Sequence, residues 1–277
     1  MAELFGFDAF SPKEIAERVE TVGVAKARLP LLSTIVLGVM AGAFIGFGAL
    51  GFVLVKSDPT LGFAAGQVVG GLAFSLGLIL VVVAGAELFT GNNLLVMARA
   101  DGKISTRELL RNWAIVCASN LVGAAGLATL VYFSRHQDLN QGAIAQRYLA
   151  IAAKKCSMSF GTAFVNGILC NLLVCLAVWM AFAGRSVVDK VVAIVFPVTV
   201  FVAAGFEHSV ANMYFIPMGL WIKADGAVGA TADAVTWSGI VSNLVPVILG
   251  NLVGGGVLVG LVYHLVYRRG RREPTKP

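Results

Sequence analysis

Two short stretches of this 277-residue chain decide its fold, Gly85-Ala-Glu-Leu-Phe-Thr90 and Gly205-Phe-Glu-His-Ser-Val-Ala-Asn-Met213. Each carries Gly-x-Glu in the middle of a long apolar segment. Around these stretches, a set of residues recurs 120 positions later in the chain. The members of the first copy are Val82, Ala84, Gly85, Glu87 and Asn92, and each has an identical residue in the second copy. The two segments are therefore copies of one motif.

The composition indicates that lipid is the solvent for most of the chain. Apolar residues make up 58% and charged residues 13%, and a soluble domain carries about 25% charged residues. Three uncharged stretches, residues 31–55, 112–134 and 156–184, reach the ~20 residues of a membrane-crossing helix. Three more, residues 60–98, 191–222 and 234–267, are equally apolar but contain Glu87, Glu207 with His208, and His264 respectively. We therefore expect an all-α membrane protein with six transmembrane helices within residues 31–267.

A second internal match relates the third predicted helix to the sixth. Asn120-Leu-Val-Gly123 recurs 131 positions later as Asn251-Leu-Val-Gly254. The chain thus consists of two halves of three spans, and an odd number of spans makes the repeats inverted, as is common in channels and secondary transporters. Spans two and five exceed one straight crossing, so we expect both helices to be broken at Gly-x-Glu.

The predicted breaks point to a pathway. Broken backbone at membrane depth is tolerated only where protein buries it or where it lines an aqueous cavity. The N–H groups freed at the start of a half-helix favour an anion. A pore for a small anion is the function that this architecture favours.

The chain ends and the positive charges predict the orientation. Residues 1–30 lack the features of a signal peptide, and residues 12–26 are expected to form an amphipathic helix on the cytoplasmic membrane surface. With residues 268–277 as a basic cytoplasmic tail, fifteen of the 21 Lys and Arg residues lie on the side of the termini and six on the other. The positive-inside rule then places both termini in the cytoplasm. The rule also accounts for the basic excess without a nucleic-acid partner, and the spacing of the four cysteines predicts no metal or cofactor site.

Four residues at the two motifs are candidates either for contacting the solute or for stabilising the helix breaks. His208 has an ordinary pKa of roughly 6.5, and an ionisable group within a span usually faces a pathway or a partner. The alternative is a buried neutral histidine bonded to the backbone. Glu87 and Glu207 are expected to brace the breaks by accepting N–H bonds rather than to bind solute. Thr90 either faces His208 across the pore or caps a helix.

A second group of candidates is apolar or amide. Phe74, Leu78 and Phe201 precede the breaks and would block hydrated ions if they narrow the pore, although most aromatic residues in a span only pack. Asn171 and Asn251 would either fix helix packing through hydrogen bonds or contact the solute.

Functions other than transport find little support in the sequence. No His-Glu-x-x-His or Gly-x-Ser-x-Gly pattern is present, and no second base stands at helical spacing from His208, so we expect no enzymatic activity. A receptor or scaffold would need larger exposed segments than this chain offers.

The two opening stretches resemble those of the formate/nitrite transporter family, and the six-span pattern covers essentially the whole chain. Three stretches are similar to the formate branch: Phe74-Ser-Leu-Gly-Leu-Ile-Leu80, Gly184-Arg-Ser-Val-Val-Asp-Lys190 and Phe215-Ile-Pro-Met-Gly219. The resemblance implies a homopentamer in the bacterial inner membrane, with an aquaporin-like arrangement of six helices and one pore in each protomer. It implies formate as the solute, with nitrite or hydrosulfide as alternatives.

The resemblance also assigns roles. It implies that His208 lies mid-pore with Thr90 beside it, that Phe74 and Leu78 form a constriction on one side and Phe201 on the other, and that Lys26 and Lys155 attract anions near the two mouths. We hypothesise that His208 hydrogen-bonds the anion and donates a proton, so that the neutral acid crosses the constriction. A channel and a proton-coupled transporter both remain open.

Overall fold

The computed structural model describes residues 9–268, and the regular structure in that range is entirely helical. The first half contains α1 (Pro12–Ala27), α2 (Leu31–Lys56), α3 (Phe63–Ile79), α4 (Phe89–Asn92), α5 (Val96–Ala100) and α6 (Thr106–Phe133). The second contains α7 (Ala143–Cys156), α8 (Phe160–Ala181), α9 (Val187–Ala203), α10 (Ser209–Ala224), α11 (Ala230–Asp233), α12 (Trp237–Asn251) and α13 (Val262–Tyr267). Helix α3 continues as π-helix Leu80–Gly85, and π-helix Leu252–Leu261 joins α12 to α13. Short 3-10 turns are Asn93–Leu95, His136–Asp138 and Asn140–Gly142.

Within residues 9–268, five helices are long and apolar enough to cross a membrane. They are Leu31–Lys56, Phe63–Gly85, Thr106–Phe133, Phe160–Ala181 and Trp237–Tyr267. The predicted fifth span is divided into α9 and α10, of 17 and 16 residues, and each alone is shorter than the ~20 residues of a full crossing. The count of six crossings therefore stays a prediction that depends on α9 and α10 acting together.

The outward faces of these helices are apolar. Leu32 on α2 is 73% exposed, Leu130 on α6 is 69% exposed and Phe196 on α9 is 67% exposed. Exposed apolar faces of this extent would destabilise a soluble monomer, whereas a bilayer buries them. The chain is a membrane protein.

Capping boxes fix the polar ends of two long helices. Ser105 accepts a hydrogen bond from the Glu108 N–H while the Glu108 carboxylate accepts one from the Ser105 N–H, and Ser186 and Asp189 do the same at the start of α9. These caps satisfy N–H groups that would otherwise be unpaired where a helix begins.

Both predicted breaks are present. After Gly85 and after Gly205 the chain leaves the helix and re-enters one at α4 and at α10. The φ angles are +86° at Gly85 and +75° at Gly205, a left-handed region that glycine adopts without the steric cost of a Cβ. At the first break the N–H of Ala86 donates to the carbonyl of Val81 (3.0 Å), and the second break has the equivalent bond. Glycine therefore ends each first half-helix.

The repeat extends beyond the segments that the sequence predicted. The last residue of α7 lies 129 positions after the last residue of α1, and the first residue of α8 lies 129 positions after the first residue of α2. The uncharged stretch 156–184 began the fourth span at residue 156, whereas in the structure Cys156 is the last residue of α7 and α8 begins at Phe160. In each half the same two helices pack closely, because a Cβ on Gly123 would overlap the Val39 carbonyl oxygen and one on Gly254 would overlap that of Ile168.

Candidate functional site

An asparagine holds the first helix break together. The side chain of Asn120 on α6 accepts from the N–H of Phe89 (2.9 Å) and donates to the carbonyls of Glu87 (2.9 Å) and Gly38 (2.7 Å). These three backbone groups, one donor and two acceptors, come from the start of α4, from the break itself and from α2. The break is therefore buried and satisfied, as backbone at membrane depth must be.

Asn251 makes the same contacts at the second break. It accepts from the N–H of Ser209 (3.1 Å) and donates to the carbonyls of Glu207 (3.1 Å) and Gly167 (2.8 Å). The first N–H group of each re-entering helix is thus already bonded to an amide oxygen. These two N–H groups are not free to bind an anion, which differs from the expectation drawn from the sequence.

An ion pair lies at each of the two breaks. Lys26 Nζ lies 2.8 Å from Glu87 Oε1, and Lys155 Nζ lies 2.9 Å from Glu207 Oε1. The Lys155 side chain is 11% exposed and that of Lys26 is 26% exposed. The lysines that we expected to attract anions and the glutamates that we expected to brace the breaks are therefore partners, and each pair carries no net charge.

Further asparagines surround each carboxylate. Asn92 donates to Glu87 Oε2 (2.7 Å) and Asn212 donates to Glu207 Oε2 (2.6 Å). Asn112 and Asn243 each bridge one of these amides to the lysine that precedes the break, through its carbonyl oxygen. Sequence reasoning missed Asn112 and Asn243, although they are related by the same 131-position offset that revealed the sixth span.

His208 lies between the two halves of the fifth segment and is 3% exposed. It is the residue before α10, and its Nδ1 accepts a hydrogen bond from the N–H of Ala211 (3.2 Å). Because Nδ1 acts as an acceptor, the proton of the neutral ring is on Nε2. Nε2 faces the Thr90 hydroxyl oxygen at 3.1 Å. The structure thus brings His208 and Thr90, 118 positions apart, into direct contact.

Asn171 on α8 lies behind this pair. Its amide nitrogen donates to the carbonyls of Thr90 (3.2 Å) and Asn251 (2.7 Å) and to the side chain of Asn93 (2.7 Å). Its Oδ1 is buried and has no hydrogen-bond partner among the described residues. The amide of Asn251 is engaged by backbone groups, so of the two asparagines only Asn171 retains an unpaired acceptor.

A cavity adjoins each helix break. The Lys26 cavity, about 480 Å³, is bordered by Lys26, Glu87 and Leu78. The Lys155 cavity, about 350 Å³, is bordered by Lys155, Glu207 and His208. Each cavity therefore has one of the two ion pairs in its wall, as the inverted repeat requires.

Apolar side chains separate the cavities. The rings of Phe74 and Phe201 meet edge to face with their centroids 5.9 Å apart, and the Phe201 ring stacks on His208, also at 5.9 Å. Both phenylalanines border the Lys155 cavity, and Leu78 borders the Lys26 cavity. Phe74 is thus grouped with Phe201, whereas the resemblance had grouped it with Leu78.

One group outside this region has side chains of the types that bind metals. Ligand atoms of Glu20, Asp101 and His264 lie within 4.8 Å of one another. Lys103 and Arg268, however, form ion pairs with the carboxylate of Glu20. Two fixed cations at the same carboxylate make this group a charge cluster that ties α1 to the rest of the chain rather than a metal site.

Comparison with known proteins agrees with this arrangement. The family model for the formate/nitrite transporter matches residues 13–265. Formate channel FocA of Escherichia coli (strain K12) is 41% identical over 274 residues, which cover 95% of this chain and 96% of that protein.

Two solved structures are similar over nearly their whole length. One, described as a pentameric formate channel with formate bound, has a TM-score of 0.80 at 41% identity and covers 86% of this chain and 97% of its own. The other, an FNT family ion channel, has a TM-score of 0.81 at 31% identity and covers 91% and 98%. With the broken-helix repeat and a cavity at each break, these matches show that the chain belongs to the formate/nitrite transporter family.

Proposed function

We propose that this chain passes formate across the bacterial inner membrane. The observation that carries the proposal is the contact between His208 and Thr90, which joins the two broken segments, with a cavity at each break and two phenylalanine rings beside the histidine. The similarity to proteins described as formate channels supports formate over nitrite, the second candidate within the family. Their description as channels supports transport rather than enzymatic chemistry.

The apolar constriction favours a neutral solute. An ionised carboxylate held between Phe74, Leu78 and Phe201 would lose its hydration without gaining a counter-charge, at a cost of several kcal/mol. Desolvation raises the pKa of a carboxylic acid, so formate entering the constriction takes up a proton from the solution on that side, crosses as formic acid and releases the proton to the solution on the other side. Transport is then coupled to proton movement in the same direction.

His208 serves as a neutral hydrogen-bond donor in this proposal. A second proton on the ring would displace the bond from the Ala211 N–H to Nδ1, and a positive charge is unfavourable at the N-terminus of a helix such as α10. The Nε2–H group instead bonds a carboxyl oxygen of the solute in place of Thr90. This role differs from the sequence-based hypothesis, in which a charged histidine donates the proton.

The remaining sequence-based expectations enter as parts of the same proposal. We infer a homopentamer with one pore in each protomer, six crossings, and both termini in the cytoplasm. Helix α1 then lies on the cytoplasmic side, where its buried face, which includes Ala16 and Val19, packs against the protein. Residues 1–8 of the N-terminal segment and residues 269–277 of the basic tail lie outside the described residues. The Lys26 cavity would open to the cytoplasm and the Lys155 cavity to the opposite side.

Uptake into liposomes tests the function. Purified protein is reconstituted, and radiolabelled formate or nitrite is followed together with an internal pH dye. Formate uptake that exceeds nitrite uptake and acidifies the interior is the expected result. Uptake of nitrite alone would move the chain to the nitrite function, and uptake of neither anion would refute transport of both.

Two variants at one position test the histidine. His208→Phe removes the Nε2–H donor and fills the space, so we expect uptake to stop. His208→Asn removes the ring that stacks on Phe201 and admits water, so we expect formate to pass with its charge and without acidification. Unchanged acidification per formate in His208→Asn would contradict the role given to the ring.

A further inference from the structure

The two cavities differ in charge although the repeat makes their ion pairs equivalent. Besides Lys155 and Glu207, the Lys155 cavity has Lys56, Arg147 and Lys154 in its wall, and no carboxylate among the described residues forms an ion pair with any of the three. The wall of the Lys26 cavity has one such residue, Lys190. The formal charge of the first wall is therefore +3 and that of the second +1, with His208 neutral.

The three unpaired cations come from two elements. Arg147 and Lys154 are seven residues apart on α7, which puts them on one face of that helix. Lys56 is the last residue of α2. The ammonium group of Lys154 is 3.9 Å from the point where a Cβ on Gly205 would be, at the break that leads to His208.

The end of α9 offers a simpler account of one of these residues. Helix C-termini attract cations, and this accounts for Lys154 beside the break. The same attraction accounts for Lys56 at the end of α2, but not for Arg147, which lies in the first half of α7. Three cations without carboxylate partners in a partly enclosed space raise the local concentration of anions, because low-dielectric walls focus their field.

We propose that Lys56, Arg147 and Lys154 form an anion-binding site in the outer part of the Lys155 cavity, separate from His208. It takes small anions, including carboxylates, from solution. This proposal rests on the proposed function in one respect, that formate is the anion which moves from the site to the constriction. A divalent inorganic anion is held more strongly than formate, but it cannot cross between Phe74 and Phe201 without shedding two charges. Such an anion therefore competes with formate from this side only.

The test uses sulfate as the impermeant anion. Formate uptake is measured in right-side-out and in inside-out membrane vesicles from cells that express the full chain, with vector-only vesicles subtracted. Sodium sulfate is added outside, against sodium chloride of equal ionic strength. We expect sulfate to slow initial uptake about threefold or more in one orientation and to have little effect in the other.

Matched variants locate the effect. The double variant Arg147→Gln/Lys154→Gln is expected to lose the inhibition, and Lys190→Gln, which removes the unpaired cation of the other cavity, is expected to retain it. Equal inhibition from both sides, or inhibition that persists in the double variant, would overturn the site. Elution of each variant at the wild-type volume in size-exclusion chromatography shows that it is folded.

Calorimetry separates this proposal from the proposed function. Sodium sulfate is titrated into the purified wild-type protein and into the double variant in detergent. Binding heat in the wild type alone supports the site even if no vesicle takes up formate, a result that would overturn only the proposed function. Absence of sulfate binding in a wild type that does transport formate would overturn the site alone.

Discussion

Replacing Lys155 by methionine removes one partner of a buried ion pair and keeps the length of the side chain. Lys155 Nζ is 2.9 Å from Glu207 Oε1, and the two side chains are 11% and 3% exposed. Coulomb's law with an effective dielectric constant of about 20 gives roughly 6 kcal/mol for unit charges at that distance. This value is an upper limit on the loss of unfolding free energy, because the carboxylate left without its partner can instead become protonated.

Glu207 avoids the full loss by taking up a proton in the folded variant. Protonating a carboxyl group of ordinary pKa, about 4.3, costs about 4 kcal/mol at pH 7 and about 1 kcal/mol at pH 5. We therefore expect Lys155→Met to lower the free energy of unfolding by about 4 kcal/mol at pH 7, within the range known for broken buried pairs. Because folding of the variant takes up a proton, its stability rises as the pH falls.

Equilibrium unfolding in mixed micelles, followed by circular dichroism at the two pH values, measures both losses. Lys155→Met/Glu207→Gln should recover most of the stability, since a neutral amide keeps an acceptor for Asn212. Lys154→Met is the matched control, an exposed neighbour without a carboxylate partner among the described residues, and should change stability by less than about 0.5 kcal/mol. A loss at pH 5 as large as that at pH 7, or no recovery in the double variant, would refute the reasoning.

Three further predictions concern the breaks and the first helix. Gly205→Ala places a Cβ at a φ of +75° and should cost about 1–2 kcal/mol in unfolding free energy, whereas Gly126→Ala, inside α6 with open space around it, should be neutral or slightly stabilising; equal effects would show that the left-handed turn is not what fixes glycine there. Asn251→Leu removes the partner of the Ser209 N–H and of the Glu207 carbonyl and should cost about 2 kcal/mol, which the same unfolding assay measures. Although burial alone would raise the pKa of Asp101, the hydrogen bond from Lys103 and its charge lower it, so its contribution to holding α1 is present above the ordinary carboxyl pKa and is lost as the pH falls below about 4. Hydrogen exchange of Pro12–Ala27 should accelerate in that range, and exchange that does not depend on pH beyond its intrinsic rate would contradict this.

The sequence predicted the breaks because the residues that make them must be specific. Only glycine adopts the positive φ at Gly85 and Gly205 at low cost, and only a side chain with donors and an acceptor satisfies the broken backbone as Asn120 and Asn251 do. These requirements preserve identity between the halves, so the offsets of 120 and 131 positions are visible in one sequence.

The relation between the first and fourth spans could not be read in the same way. Their contributions to the breaks are backbone carbonyls, such as those of Gly38 and Gly167, and a carbonyl is supplied by almost any residue. Helix α7 was missed for a related reason. It and its counterpart α1 both have a lysine as the second-last residue, but their sequences are otherwise little alike.

The ion pairs are a third feature that the sequence alone could not predict. Lys26 and Glu87 are 61 positions apart, and Lys155 and Glu207 are 52 apart, so no local pattern joins them. The resemblance placed both lysines at the mouths, and the repeat placed both glutamates at the breaks. That each lysine forms an ion pair with a glutamate required the three-dimensional structure.

The dependence of formate uptake on membrane potential tests most directly whether the solute crosses as the neutral acid. Radiolabelled formate uptake is measured in proteoliposomes at a fixed pH gradient while a potassium diffusion potential is set with valinomycin. A monovalent anion that crosses with its charge gains or loses about 2.3 kcal/mol per 100 mV, roughly fiftyfold in accumulation. We predict that the wild type accumulates formate to the same level with or without 100 mV, and that His208→Asn follows the potential. Wild-type accumulation that follows the potential would contradict passage of the neutral acid.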